Sequence, residues 1–112
     1  MFLLIFTAWS LAGSVEPAYN YYVIAVQNWC NTTYGIHGLW PQYDNNTYPS
    51  YCNSDVYRDV TGKLLEDMTT NWNVDCAEPV VSDQYFWSHE WSKHGSCVNV
   101  QTGMNETTYF FK

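Results

Sequence analysis

Four cysteines, Cys30, Cys52, Cys76 and Cys97, are spread widely along a chain of 112 residues. No Cys-x-x-Cys pair occurs, so zinc ligation and thiol redox chemistry lack their usual spacing. An even, widely spaced set reads as disulfides, with all three connectivities open, and disulfides need an oxidising compartment. The chain is one domain at most. A domain this short hides only about 60–65% of the surface its unfolded chain exposes, so covalent staples matter.

Hydrophobic residues make up 46% of the chain and aromatics 19%, which is too apolar for disorder. Four Lys and Arg face eleven Asp and Glu, a formal net charge of -7. That balance excludes broad binding to nucleic acid or to a membrane surface, so any polyanionic substrate must be held by a small local site. Met1 to Ala12 is uncharged, apolar and too short to span a bilayer. Small residues follow it, so residues 1–14 read as a signal peptide and 15–112 as the folded domain. The leader lacks a basic start, and the competing reading is a buried first strand or helix. Secretion also fits three glycosylation sequons, at Asn31, Asn45 and Asn105.

Tyr21 to Trp29 is β-rich and apolar on both faces, which predicts a central strand. Tyr34 to Trp40 predicts a second strand, ended by Pro41. Asp44 to Ser54 and Asn73 to Asp83 read as loops. Val56, Val60, Leu64, Met68 and Trp72 predict one helical stripe, broken or bent at Gly62. Gln84 to His94 predicts a helix capped by Ser82 or Asp83 and stopped by Gly95, and Asn105 is placed to cap another. Strands first and helices after make the expected class α+β.

The three histidines carry the functional argument. His37 lies on the second strand; His89 and His94 lie on one helix. At about 100° per residue, with His89 at zero, Lys93 falls at about 40°, Glu90 at about 100° and His94 at about 140°. These groups could merely solvate a helix face as i,i+4 pairs, but Trp87 and Trp91 flank them, which argues against a simply exposed helix. A zinc protease is excluded: H-E-x-x-H needs its histidines four apart, and here the fourth position is the cation Lys93. A looser three-histidine metal site is the remaining metal alternative.

Histidines, a lysine and a glutamate together suit phosphoryl transfer without a metal or other cofactor. Cleaving RNA needs a base for the ribose 2′-OH, an acid for the departing 5′-oxygen, and positive charge beside the phosphorane. Histidine can carry either proton near neutral pH. Dependence on the 2′-OH restricts such chemistry to RNA and excludes DNA.

Ile36-His37-Gly38-Leu39-Trp40-Pro41 and Phe86-Trp87-Ser88-His89-Glu90-Trp91-Ser92-Lys93-His94-Gly95-Ser96-Cys97 resemble the two active-site motifs of the ribonuclease T2 family. Tyr48-Pro49-Ser50-Tyr51-Cys52, Leu64-Leu65-Glu66-Asp67-Met68 and Asn71-Trp72 are similar to the sequence between those motifs. The resemblance runs from about Tyr21 to Phe111. It implies an antiparallel central sheet packed by helices. His94 would be the general base, His37 the general acid and His89 a phosphate ligand, with Glu90 and Lys93 stabilising the transition state. A 2′,3′-cyclic phosphate would form and later be hydrolysed to a 3′-phosphate, the two proton carriers exchanging roles. Trp40 and Phe86 match base-contact positions, with core packing as the alternative for both. Stacking on them suits weak base preference. The resemblance also pairs Cys52 with Cys97 and Cys30 with Cys76.

Family members are longer, and their C-terminal half adds strands to the sheet; that part of the fold is expected to be missing here. Cys30 also follows Trp29 where the family usually has proline. Two functions follow as expectations: a secreted or lumenal monomeric endoribonuclease with no membrane attachment after leader cleavage, or a truncated, non-catalytic RNA- or partner-binding relic.

Overall fold

A computed structural model describes residues 18–29, 33–73 and 79–111. The expected leader, Cys30, Asn31 and Cys76 lie outside the described residues. Strand β1 (Tyr21–Trp29) pairs antiparallel with β2 (Thr33–Gln42). Helices follow: α1 (Gly62–Asn71), α2 (Pro79–Glu90), a π-helical turn (Trp91–Gly95), α3 (Ser96–Thr102) and α4 (Glu106–Phe111). This is the expected α+β order, strands before helices. No described helix is long and apolar enough to cross a membrane.

The hairpin contains one irregularity that matters. Ala25 pairs with Gly38, but Val26 pairs with Ile36, so the register slips by one residue at His37. It is the extra residue of a β-bulge, a device that bends a strand and re-aims a side chain. β2 also runs through Pro41, which pairs with Tyr22, rather than ending there. Proline is tolerated on a strand whose N–H side meets no ladder partner.

One wall of the core comes from β2 and the rest from the helices. Ile36 and Leu39 pack against buried Val60, Met68, Trp72, Trp87, Trp91, Val98, Tyr109 and Phe110. Three side-chain donors pin this arrangement. Trp72 Nε1 donates to the His37 carbonyl at 2.8 Å, Tyr109 Oη to the Leu39 carbonyl at 2.8 Å, and Trp87 Nε1 to the Trp72 carbonyl at 2.5 Å.

β1 departs from its expected burial. Ile24 is 66% exposed and Val26 62%. An apolar run is buried on both faces only if something covers both, and the helices lie against β2.

The helix boundaries differ as well. Val56 and Val60 belong to an irregular connection, not to a helix. Gly62 starts α1 instead of breaking it: its φ of 64° is left-handed backbone that suits glycine. Val60 is still buried, because Gln84 grips it from both sides, donating to its carbonyl at 2.9 Å and accepting its N–H at 3.1 Å.

Ser82 and Asp83 lie inside α2, which Pro79 opens in the manner usual for a first helical turn. Residues 79–83 are therefore helical and not loop. Gly95 does not stop the helix. Its backbone is right-handed helical, and a Cβ there would meet the Trp91 ring at 2.3 Å, so glycine serves close packing. The stop is Gly103, with φ of 72°. Asn105 caps α4 as expected, accepting the Thr108 N–H at 2.9 Å.

Candidate active site

The bulge and the π turn bring the two motifs together. His37, Trp40, Phe86, His89, Glu90, Lys93 and His94 line one cleft of about 280 Å³, with Gln42 and Tyr48 completing it. The π turn explains how His89 and His94 can share it. Its i→i+5 pattern turns residues five apart toward one side of the helix, where an ordinary α-helix would splay them.

Glu90 is the hub. It is 1% exposed, and its Oε2 accepts the Trp40 indole N–H at 2.8 Å. Its Oε1 lies 3.6 Å from His37 Nε2. Gly38 makes this possible, because a Cβ at that position would sit 2.1 Å from Glu90 Oε2 and 2.3 Å from Trp40 Nε1.

His37 meets Trp40 and Phe86 edge-on, with ring centroids 5.1 and 5.2 Å apart. Its Nδ1 lies 2.7 Å from Gln27 Oε1. His94 is buried and stacks on Trp40 at 5.1 Å and 27°. The Lys93 ammonium lies over the Tyr48 ring, 5.6 Å from its centre.

Burial sets the protonation states. It pushes the Glu90 carboxyl up to about 7, with the Trp40 hydrogen bond and Lys93 opposing the shift. Burial likewise pushes His94 down to about 3, helped by the charges of Lys93, His89 and His37. His37 is lowered by burial, then by His89 and Lys93. Below about 7 Glu90 is neutral, so it does not hold His37 protonated. At mildly acidic pH the cleft therefore holds one imidazole that stays neutral, one that can be charged, and a carboxyl group able to donate.

The Cys52–Cys97 disulfide is present and ties the loop after β2 to α3. Cys52 N–H donates to Ser96 Oγ at 3.0 Å, and Tyr51 N–H donates to the Lys93 carbonyl at 2.9 Å. These bonds hold the loop bearing Tyr48 against the π turn. The Cys30–Cys76 pairing lies outside the described residues. Asn45 and Asn105 are both exposed, as glycosylation would require. Among the described residues no three His, Cys, Asp or Glu side chains converge as a metal site.

Sequence reasoning missed Gln27, Gln42 and Tyr48. Glycines at 35 and 38 on either side of His37 were the available sign of a bulge. The five-residue spacing of His89 and His94 hinted at the π turn.

Three imidazoles and a buried carboxyl group, with an ammonium beside them, are groups suited to proton transfer. Across residues 3–112 the sequence matches the model of the ribonuclease T2 family, and the chain belongs to that family. It is 45% identical over 82 residues to extracellular ribonuclease LE of Solanum lycopersicum, covering 70% of this chain and 34% of that protein. It is 46% identical over 66 residues to ribonuclease 1 of Arabidopsis thaliana, covering 57% of this chain and 28% of that protein. The chain thus spans about a third of the length of these relatives. Among solved structures it resembles ribonuclease MC1 from bitter gourd seeds, with a TM-score of 0.56 and 38% identity over 70% of this chain and 39% of that one. It also resembles RNase NT in complex with 5′-AMP, with a TM-score of 0.56 and 31% identity over 79% of this chain and 44% of that one.

Proposed function

We propose that this chain is an endoribonuclease that cleaves single-stranded RNA by transphosphorylation, without a metal. The observation that carries the reading is the shared cleft: His37 from a bulged strand and His94 from a π turn line it together with His89, Glu90 and Lys93. RNase NT with 5′-AMP and RNase MC1 variants with 5′-GMP or 5′-UMP support a nucleotide ligand.

His94 takes the 2′-OH proton as the 2′-oxygen attacks phosphorus. The P–O5′ bond breaks, and His37 gives its proton to the leaving 5′-oxygen. His89 and Lys93 hold the non-bridging oxygens, and Glu90 donates a hydrogen bond while protonated. Water then opens the 2′,3′-cyclic phosphate to a 3′-phosphate, with His37 as base and His94 as acid. Phe86 is open enough to contact a base. Trp40 has one face against His94, so its first role is to orient Glu90 and His94.

The pH dependence follows. A neutral His94 is available from about 3 upward, whereas His37 must be charged and its pKa lies below the usual 6.5. Cleavage is fastest at acidic pH and declines as pH rises through the His37 value.

The test is RNA incubated with the protein in EDTA at pH 4 to 7, with end analysis. Cyclic and 3′-phosphate ends are expected, with none from a 2′-deoxy substrate; their absence from RNA overturns the reading. His37→Ala and His94→Ala should each lower the rate by about 10²–10⁴-fold. A thermal melt on the same protein separates an inactive fold from an unfolded chain.

Secretion or a lumenal location belongs to the same proposal, with residues 1–14 as leader and glycans on the sequons. The disulfide and the extracellular tomato relative support it, although another tomato relative is named an intracellular ribonuclease. The working unit is proposed to be a monomer that does not cut DNA.

A further inference from the structure

The nuclease reading needs His37 to present one particular nitrogen to substrate, and the hairpin contains a device for that. Gln27 on β1 pairs with Gly35, which has no side chain to occupy the space across the ladder. The Gln27 amide therefore reaches across to the diagonal neighbour, His37, which the register shift places beside it. Its Oε1 lies 2.7 Å from His37 Nδ1. An amide oxygen only accepts, so Nδ1 must carry the hydrogen. The other ring nitrogen, Nε2, is the one 3.6 Å from Glu90 in the cleft.

We propose that Gln27 is a positioning residue that locks His37 in the Nδ1–H tautomer, keeping the Nε2 lone pair directed into the cleft. This rests on the nuclease reading and deepens it. The two chemical steps depend on the lock unequally. In cleavage, His37 starts as the cation with both nitrogens protonated, and it loses the Nε2 proton to the 5′-oxygen. In hydrolysis of the cyclic phosphate it starts neutral and must accept a proton at Nε2. A neutral ring with its hydrogen on Nε2 cannot do so. Which ring nitrogen is left to take the proton is set by the hydrogen bond the other one makes, and here Nδ1 bonds Gln27.

Gln27→Leu removes the acceptor at similar volume. Gln27 is exposed, so the fold should tolerate the change. Gln27→Glu keeps an acceptor. The expected result for Gln27→Leu is a hydrolysis kcat roughly ten-fold lower, a much smaller loss in cleavage, KM nearly unchanged, and accumulation of cyclic phosphate. Gln27→Glu should restore hydrolysis. It should also move the high-pH limb of cleavage upward, because its charge joins the groups already facing His37: Glu90 from α2, and His89, Lys93 and His94 around the cleft.

Nitrogen-15 NMR of the histidines in the full chain reads the tautomer with no substrate present, so this part stands or falls separately from nuclease activity. An Nδ1–H signature at His37 that is lost in Gln27→Leu and kept in Gln27→Glu supports the proposal. The same tautomer in all three proteins, or equal slowing of both steps, overturns it.

Discussion

Ile24 of β1 is 66% exposed, while Leu39, its partner in β2, packs on the core. The two strands have nearly equal length and pair from end to end, and by composition β1 is the better β-former, since β2 carries two glycines and a proline. What separates them is attachment. The bulged stretch of β2 is fixed by Trp72 and Tyr109, which take up the carbonyls of His37 and Leu39, and by Glu90, which is bound to Trp40. The described part of β1 contributes Gln27 to the site and little to the core. Here the strand that carries the candidate site is the one whose backbone is held by polar side chains, not the more hydrophobic one.

The sharpest way to break this contrast is Gly38→Ala. The new Cβ would displace either the Glu90 carboxyl or the Trp40 indole, because it would lie within 2.3 Å of both. A displacement of about 1 Å at a proton-transfer site can cost about 100-fold in rate. We expect a loss of that order in RNA cleavage. Activity close to wild type would mean that the Glu90–Trp40 bond does not organise the cleft.

Next in size is Trp72→Phe, which keeps a ring in the core but removes the donor to the His37 carbonyl. An unsatisfied buried acceptor costs about 1–3 kcal/mol, readable as a shift in the urea midpoint. Activity should fall with it, because the same bond fixes the bulge.

How much of this was legible in the sequence depends on what held each residue in place. The expected ends of β1 match the structure, because six of its nine residues are β-branched or aromatic and no helical period competes with them. The α+β order and the Cys52–Cys97 bridge also agreed with expectation. Gly95 and Gly62 were misread because a glycine signals either backbone freedom or close packing, and only tertiary contacts decide between them. Gly95 faces Trp91, whereas Gly62 has a positive φ. All five proposed catalytic side chains line one cleft, yet the two irregularities that bring them there, the bulge and the π turn, break the regular periods on which sequence reading depends. Gln27 was invisible because its role exists only across the ladder.

A subtler test compares pH profiles of stability. The Glu90 value is raised from the ordinary 4.5 to about 7, so between those values the folded state holds a proton that the unfolded chain has lost. Stability from this group falls as pH rises through that window. His94 acts in the opposite sense: lowered from 6.5 to about 3, it lets stability rise with pH between those values. The slopes oppose each other between 4.5 and 6.5. Glu90→Gln removes one of them, so the stability of the variant relative to wild type should climb steadily from pH 4.5 to 7. A difference independent of pH would mean that Glu90 does not titrate with burial.

The smallest effect should come from Ile24→Thr on β1. Threonine keeps the β-branched shape, and the site is mostly exposed. Solvent-facing substitutions away from special features change stability by less than about 0.5 kcal/mol. Urea denaturation alongside Trp72→Phe makes the comparison direct, because Trp72 holds the backbone of β2 whereas Ile24 lies on the exposed face of β1. A loss at Ile24 as large as that at Trp72 would show that the β1 face is covered in solution. Sedimentation of the wild-type chain would then reveal whether the cover is a second copy. A negligible loss leaves the asymmetry intact, with the core and the candidate site both anchored on the bulged strand.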